Sequence, residues 1–319
     1  MKRIPLMPAI CLTAFLVLLA GLAGCGTPEE KPLPDESSEY KYQEPVITLY
    51  DNDTGEKKEI KMEEYLAGVV AAEMEPSWPI EALSAQAVLA RTFTLHKIKH
   101  EKGVPQYDAD ASTSTEEFQA YDPDRITSQV REAVKRTRGK VIKYEGDYIR
   151  AWFHSNAGGK TATAKEGLAF DKEPTPYIQS VSDSGQKVAK PKDKTWEASF
   201  TVDEVRSAVI SQSGKNPGQI TSVEIVKKGP SKRAETVRVG DTEISGSALR
   251  MGLDPERMRS TLLDRFEIKD GQLHMAGRGY GHGVGMSQWG AYYMAEQGKS
   301  HTEIINHYFK DVTIDKIWR

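Results

Sequence analysis

Met62-Glu63-Glu64-Tyr65-Leu66-Ala67-Gly68-Val69-Val70-Ala71-Ala72-Glu73-Met74 has the spacing of an α-helix, and its reading sets the fold. At about 100° per residue, Met62, Leu66, Val69, Val70 and Glu73 fall in one stripe about 100° wide, with Glu73 near its centre. Glu63 and Glu64 lie beside or behind that stripe and suit the positive N-terminal end of the helix. A carboxylate on an apolar face loses hydration, which disfavours its ionised form and raises its pKa. Such an environment suits a general acid working near neutral pH. It also suits a structural ion pair or a cap on a neighbouring chain end, and this helix alone leaves both readings open.

The next helix adds a partner charge. Pro76 and Pro79 close the first helix, and Pro79 can open a second that has Glu81 in its first turn. From Ile80 to Ile98, the face formed by Ile80, Leu83, Ala87, Thr94, Leu95 and Ile98 carries Arg91 near its middle. The short connection predicts antiparallel neighbours, packed closely through Ala82, Ala85, Ala87 and Ala90. A buried Glu–Arg pair is seldom a net gain over apolar side chains, so its presence points to a site. The expectation is that Arg91 touches substrate or orients Glu73 through one oxygen.

Lys2 and Arg3 precede an apolar run from about Ile10 to Leu22, too short and wrongly flanked for a good membrane span. It ends Leu22-Ala23-Gly24-Cys25, which resembles a bacterial lipobox. The expected organisation is a leader over 1–24, a lipidated Cys25 and a disordered Pro-, Glu- and Ser-rich tether over 25–45, and a folded part over 46–319. The expected location is extracytoplasmic, lipid-anchored to the outer face of the cell membrane, since several acyl chains on one residue hold firmly. Cys11 leaves with the leader, so no disulfide or thiolate metal site is expected. Lys and Arg number 43 against 46 Asp and Glu. Loss of Lys2 and Arg3 deepens that acidic excess, which argues against a nucleic-acid partner.

Val46 to Tyr50 and Lys57 to Lys61 flank Asp51-Asn52-Asp53-Thr54-Gly55, a predicted hairpin. A helix is expected from about Asp124 to Arg138, closed by Gly139, followed by strands at Lys140–Tyr144 and Tyr148–Phe153. The stretch from about 187 to 268 reads as a variable α/β insert, with strands at 222–228 and 236–239 and a helix around 247–251. Ser287 is placed to cap a helix running to Gln297, and Ser300 with Glu303 forms a capping box for the last helix. No regular βαβ alternation appears. The predicted class is therefore α+β, with mixed helices and antiparallel strands and one large catalytic domain containing an inserted smaller α/β region.

His154-Ser155-Asn156-Ala157-Gly158-Gly159-Lys160-Thr161 ends like a phosphate-binding loop, but the first glycine of that pattern falls on His154. Neighbours on an extended chain face opposite ways, so His154 does not activate Ser155 as a nucleophile. A turn at Gly158-Gly159 that presents either residue to a cleft is one reading, and a purely structural turn is the other. Gly277-Arg278-Gly279-Tyr280-Gly281-His282-Gly283-Val284-Gly285 has glycine at every other position. If extended, one face is bare backbone and the other carries Arg278, Tyr280, His282 and Val284, groups suited to a polar sugar; close strand packing is the alternative. His96 and His100 have a helical ligand spacing but fall among Lys97, Lys99 and Lys102, so a solvated helix end is expected and no metal. His301 and His307 are expected to be solvated or capping.

Together these segments resemble the SpoIID/LytB family, named for stage II sporulation protein D. The resemblance runs through residues 64–74, Trp78 to Leu83, Ala85 to Phe93, Gln119-Ala120-Tyr121, Phe153-His154-Ser155 with Gly158 to Thr161, and Gly279 to Ala291. It implies a lytic transglycosylase that cleaves MurNAc–GlcNAc bonds of peptide-stripped peptidoglycan strands and leaves 1,6-anhydro ends, in cell wall remodelling (vegetative turnover included), sporulation or germination. The family's catalytic glutamate falls on Glu73 and its characteristic arginine on Arg91. The shared blocks put His154, Ser155, Tyr280, His282 and Gln288 with Arg91 as substrate-binding residues. Some members are thought to bind zinc through Cys and His before Gln119, but Ser114-Thr115-Glu116-Glu117-Phe118 contains neither, so no cofactor is expected.

A hydrolase needs a second carboxylate, for which Asp108, Asp110 and Asp183 are candidates; the enzymatic alternative is a two-carboxylate muramidase. The alternative from another class is a non-catalytic wall-binding module that activates a partner autolysin. A peptidoglycan amidase or another wall hydrolase is accordingly an expected partner, beside the glycan strands and the membrane.

Overall fold

The computed structural model describes residues 43–319. The leader, Cys25 and most of the expected tether lie outside the described residues. Among the described residues, no helix is long and apolar enough to cross a membrane.

Val46–Tyr50 (β1) and Lys57–Lys61 (β2) form the expected antiparallel hairpin, with Val46 opposite Lys61. Asp51 Oδ1 closes its turn by accepting from the backbone of Asp53 (3.0 Å) and Thr54 (3.1 Å). Met62–Glu73 (α1) and Ile80–Glu101 (α2) follow. The 22 residues of α2 make a rod about 33 Å long, buried on nearly every face from Ala82 to Ile98. Around it pack α1, Ser128–Arg136 (α3, after the short strand Ala111–Ser112, β3, which pairs parallel to β1) and Lys140–Tyr144 (β4). The helix expected from Asp124 starts later, because Pro123–Arg125 forms a 3₁₀ turn capped by Asp122, and Thr127 then caps α3.

The expected strand at 148–153 is also broken. Asp147–Tyr148 (β5) pairs with β4 and Phe153–His154 (β6) pairs elsewhere, while Trp152 N bonds Arg150 O (2.9 Å) between them. Ala164–Leu168 (α4), capped by Thr163, completes this half.

A second hydrophobic core is built between Trp196 and Met275. Pro191–Lys194 (α5) leads into Thr195–Thr201 (β7), Val202–Ser213 (α6), Val223–Lys228 (β8), Ala234–Val239 (β9), Thr242–Ser245 (β10), Gly246–Leu253 (α7), Leu263–Lys269 (β11) and Gln272–Arg278 (β12). Two antiparallel sheets, in the orders β10-β9-β8 and β11-β12-β7, enclose Phe200, Val205, Val237, Leu249 and Met275 together with α6 and α7. The chain then returns to the first core. Met286–Ser287 (β13) pairs parallel to β6, Ser287 caps Gln288–Glu296 (α8), Ser300 and Glu303 form the expected capping box on His301–Tyr308 (α9), and Thr313–Lys316 (β14) pairs with β4. The class is α+β, with helices and mainly antiparallel sheets.

Arg91 does not pair with Glu73. It is fully buried, and its Nη2 meets Glu63 Oε2 at 2.5 Å while its Nε reaches Oε1 at 3.2 Å. Glu63 Oε1 also accepts from Trp318 Nε1 (2.8 Å) and Gly139 N (3.1 Å), and Arg91 Nη1 donates to Lys140 O (3.0 Å). The helical phase misled because α2 is buried all round, so position on one stripe does not select a partner. Glu63 and Glu73 are ten residues apart on α1, about 15 Å along its axis, and Arg91 meets the end opposite Glu73. The pair instead ties α1, α2, β4 and the C-terminal Trp318 together.

Arg91→Met should lower the unfolding free energy in urea by about 3–5 kcal/mol, because it strands a buried carboxylate. Adding Glu63→Gln, which keeps an acceptor for Trp318 and Gly139, should recover at least about 1 kcal/mol of that loss. Strictly additive losses would show that the pair is not a coupled unit.

Candidate active site

Glu73 is the last residue of α1, where the negative end of the helix dipole already disfavours an anion. Burial raises its pKa from 4.5 to about 7, against the opposing influence of the Ala120 N–H, which donates to it, and of the nearby Gln288 carboxamide. The Ala120 N–H reaches Oε1 at 2.9 Å. That donor is held in place by its neighbours. The Tyr121 ring lies so close over Gly68 that a Cβ there would collide with it, and Asp122 N bonds Gly68 O at 3.1 Å. Tyr121 also stacks on Tyr65 with ring centroids 5.7 Å apart. The segment 120–122 is thereby clamped along α1, and Glu73 keeps Oε2 for other work.

Glu73 opens into a cleft of about 140 Å³ that also takes in Ser155, Gln288, Trp78, Trp289, Arg125 and Lys190. Of the side chains predicted for the site, the structure brings Glu73, Ser155 and Gln288 to this cleft. Ser155 arrives at the end of β6, and its carbonyl accepts from Trp289 N (3.0 Å). Gln288, the first residue of α8, is nearly buried, and its Nε2 lacks a hydrogen-bond partner among the described residues. Trp78 and Trp289 pack with centroids 4.6 Å apart and form an aromatic wall. Sequence reasoning missed this wall and the cations beside it, although Trp78 and Trp289 stood in the quoted blocks and Lys190 in the basic run 187–194. The Ala120 N–H had no sequence signal, since any residue supplies a backbone donor.

The other predicted residues lie elsewhere. His154 is 4 % exposed; its Nδ1 donates to Val284 O (3.1 Å), leaving Nε2 without a partner among the described residues. Burial first, then His282 and Arg233, hold its pKa well below the ordinary range. His282 lies 5.6 Å from it, ring to ring, accepts from Val284 N at Nδ1 (3.1 Å), and is pushed to about 3 chiefly by burial. The two imidazoles are therefore neutral and support each other's loops rather than lining the cleft. Tyr280 donates to Glu256 Oε2 (2.5 Å) and sits under Arg259, on the side of the second core.

The glycine-rich segment is extended only at Gly277 and Arg278, the end of β12, and loops from Gly279 onward. Gly279, Gly281, Gly283 and Gly285 all have positive φ, between 71° and 101°. At Gly285 a Cβ would strike the Trp152 carbonyl, and at Gly283 it would strike the guanidinium of Arg233. The alternation thus serves a looped chain threaded between backbone and a buried arginine, and it displays no single sugar-binding face. Arg233 is fully buried and donates to Ala157 O (2.7 Å) and Lys160 O (2.8 Å). Beside it Glu166 accepts from Ser231 N (3.0 Å) and Arg233 N (3.1 Å), so this cluster fastens the second core to the first.

The expected second carboxylates do not line the Glu73 cleft and are engaged by other partners. Asp108 pairs with Lys57 (3.2 Å), Asp110 accepts from Thr48 N (2.8 Å), and Asp183 accepts from the Tyr308 hydroxyl (2.7 Å). The acids that do line the cleft are Glu75, bridged to Arg125 (3.3 Å) and Lys190 (3.2 Å), and Asp193, which accepts from Trp289 Nε1 (3.3 Å). Among the described residues, no group of three or more His, Cys, Asp or Glu side chains is placed to hold a metal. His96 is not solvated as expected. It is 6 % exposed, packed against His100, and pushed to about 4 chiefly by burial. His301 caps onto Glu81 (2.8 Å), and His307 bonds Ser182 O (2.8 Å).

Comparison with known proteins places these features in a family. A family model described as Stage II sporulation protein (SpoIID) matches residues 50–144, and one described as a domain of unknown function (DUF8618) matches residues 190–285. The chain is 31% identical to Stage II sporulation protein D of Bacillus amyloliquefaciens over 85% of its own length and 78% of that protein. It is 32% identical to an uncharacterised protein of Brachyspira hyodysenteriae (strain ATCC 49526 / WA1) over 80% of its length and 67% of that protein. An amidase enhancer of Bacillus subtilis (strain 168) is 28% identical over 78% of the chain, which spans 40% of that longer protein.

The raised pKa of Glu73 has a consequence for stability. Because the folded value of about 7 lies above the usual 4.5, the folded chain keeps a proton that the unfolded chain releases. The associated stabilisation is full below pH 4.5 and is lost as pH rises through about 7. Relative to wild type, Glu73→Gln should therefore gain stability with pH, by about 1–3 kcal/mol in urea unfolding between about pH 5 and about pH 8. A difference that stays constant over that range would mean that Glu73 titrates normally.

Proposed function

The chain belongs to the family of stage II sporulation protein D, and from that footing we propose that it is a peptidoglycan lytic transglycosylase with Glu73 as its general acid. Its relatives give it a cell-wall function connected with sporulation. The observation that carries the finer reading is a cleft carboxylate whose pKa of about 7 leaves it substantially protonated at neutral pH.

In this reading a MurNAc–GlcNAc linkage lies over Glu73. Oε1 is occupied by the Ala120 N–H, so Oε2 delivers the proton to the glycosidic oxygen. The bond between that oxygen and the MurNAc anomeric carbon breaks, with oxocarbenium character on the sugar. The Glu73 carboxylate then takes the proton of the MurNAc 6-hydroxyl as its oxygen closes on the anomeric carbon. No water is consumed, the strand ends in a 1,6-anhydro sugar, and Glu73 is protonated again. One carboxyl group suffices for both proton transfers. A hydrolase needs a second acid about 5–9.5 Å away, whereas Glu75 is ion-paired on both sides and Asp193 is held by Trp289. Ser155 and Gln288 face the same cleft and are assigned to the substrate's polar groups. Cys25 is taken as the lipid anchor that keeps the enzyme at the outer face of the membrane.

The amidase enhancer among the relatives supports a second reading, in which the chain binds strands and stimulates a partner amidase. One experiment separates the readings: wild type and Glu73→Gln are incubated with peptide-free strands and the products resolved by mass spectrometry. The transglycosylase gives anhydro ends, with a loss of about 10²–10⁴-fold in the variant. Reducing ends would mean a muramidase. Strand binding without cleavage by either protein would leave the enhancer reading in place of both enzymes.

A further inference from the structure

We propose that the domain built on the second core carries the distal half of the strand-binding groove. The inference rests on the glycan-strand reading above and assigns a role to the segment 190–285. Lys192 lines the Glu73 cleft and also a second, larger cleft of about 410 Å³, bounded by Thr195, Trp196, Ala198, Glu256, Arg257 and Arg259. A volume of about 140 Å³ at Glu73 is below the roughly 300–1,000 Å³ of sites that enclose a small ligand, whereas the second cleft falls within that range. A polymer fits this pairing. One linkage sits over the carboxyl group, and the sugars beyond it continue across Lys192.

The boundary between the two clefts is braced. Arg259 Nη1 donates to Lys192 O (2.5 Å), and Arg259 O accepts from Gly281 N (2.8 Å). One residue of the second cleft thus fixes both the α5 turn and the glycine-rich loop that leads to Gln288. The electrostatics favour an anion. Three cations, Lys192, Arg257 and Arg259, line the second cleft against two acids, Glu197 and Glu256, and Glu197 is paired with Arg265 (3.3 Å). Arg257 is paired with Glu204 (2.7 Å), but Lys192 is exposed and has no ion pair among the described residues. An unneutralised ammonium between two clefts suits a strand whose muramic acids carry free lactyl carboxylates.

Thr195 is exposed on the wall of the second cleft, so a charge placed there alters the groove without disturbing either core. The full chain carrying Glu73→Gln is titrated with a peptide-free tetrasaccharide and with long peptide-free strands, with and without Thr195→Glu or Thr195→Lys. The groove predicts tighter binding of long strands, a loss of about tenfold of that advantage with Thr195→Glu, and its retention with Thr195→Lys. Affinity independent of length, or equal effects of the two substitutions, would overturn the proposal. So would a Thr195→Glu protein that loses a partner amidase while binding strands normally, since the cleft would then be a protein dock. Cleavage by the protein with Glu73 intact is scored separately. Length-dependent binding without anhydro ends sinks the transglycosylase and leaves the groove, and anhydro ends with length-independent binding do the reverse.

Discussion

A carboxyl group deprived of water and given a single backbone donor is the constraint on which the site depends. Glu73 ends α1, and its surroundings come from three distant parts of the chain: α1 itself, the segment 120–122 and the start of α8. The absence of a cation against it matters as much as its burial. An adjacent arginine would hold it ionised. The buried Arg91 meets the other end of the helix, and the cleft cations Arg125 and Lys190 pair with Glu75, so desolvation wins and the proton stays near neutral pH.

The contrast with Glu63 shows how one helix keeps two glutamates for two purposes. Glu63 is buried with Arg91, Trp318 and Gly139 around it and acts as a structural knot. Glu73 has one donor at 2.9 Å and an opening to solvent. Arg233 and Glu166 repeat the structural use at the junction of the two cores. Both buried arginines therefore hold the scaffold, and the cations near the cleft are the exposed Arg125, Lys190 and Lys192.

Much of the fold was legible because local chemistry and tertiary structure agree there. The β1–β2 hairpin has an Asx turn between two extended runs, Pro76 and Pro79 follow the end of α1, and the Ser300–Glu303 capping box forms as its spacing requires. The phase of Glu73 on α1 was also legible. The partner of Arg91 was not, because a helix buried on all sides carries no directional signal in its apolar pattern. Alternating glycines from 279 to 285 read as a strand when they mark positive φ and close backbone contacts, which the period of two does not distinguish. Tyr280 was misplaced for the same reason. The cleft walls needed tertiary structure: Trp78 and Trp289 are far apart in sequence and meet only when α8 packs on α2.

The most direct test of this account is the protonation state of Glu73 itself. An infrared difference spectrum between wild type and Glu73→Gln, recorded across pH, isolates the carboxyl stretch of this one side chain. The account predicts a protonated carboxyl band that persists through mildly acidic pH and disappears with a midpoint near 7. A midpoint near 4.5, the ordinary value for glutamate, would contradict it.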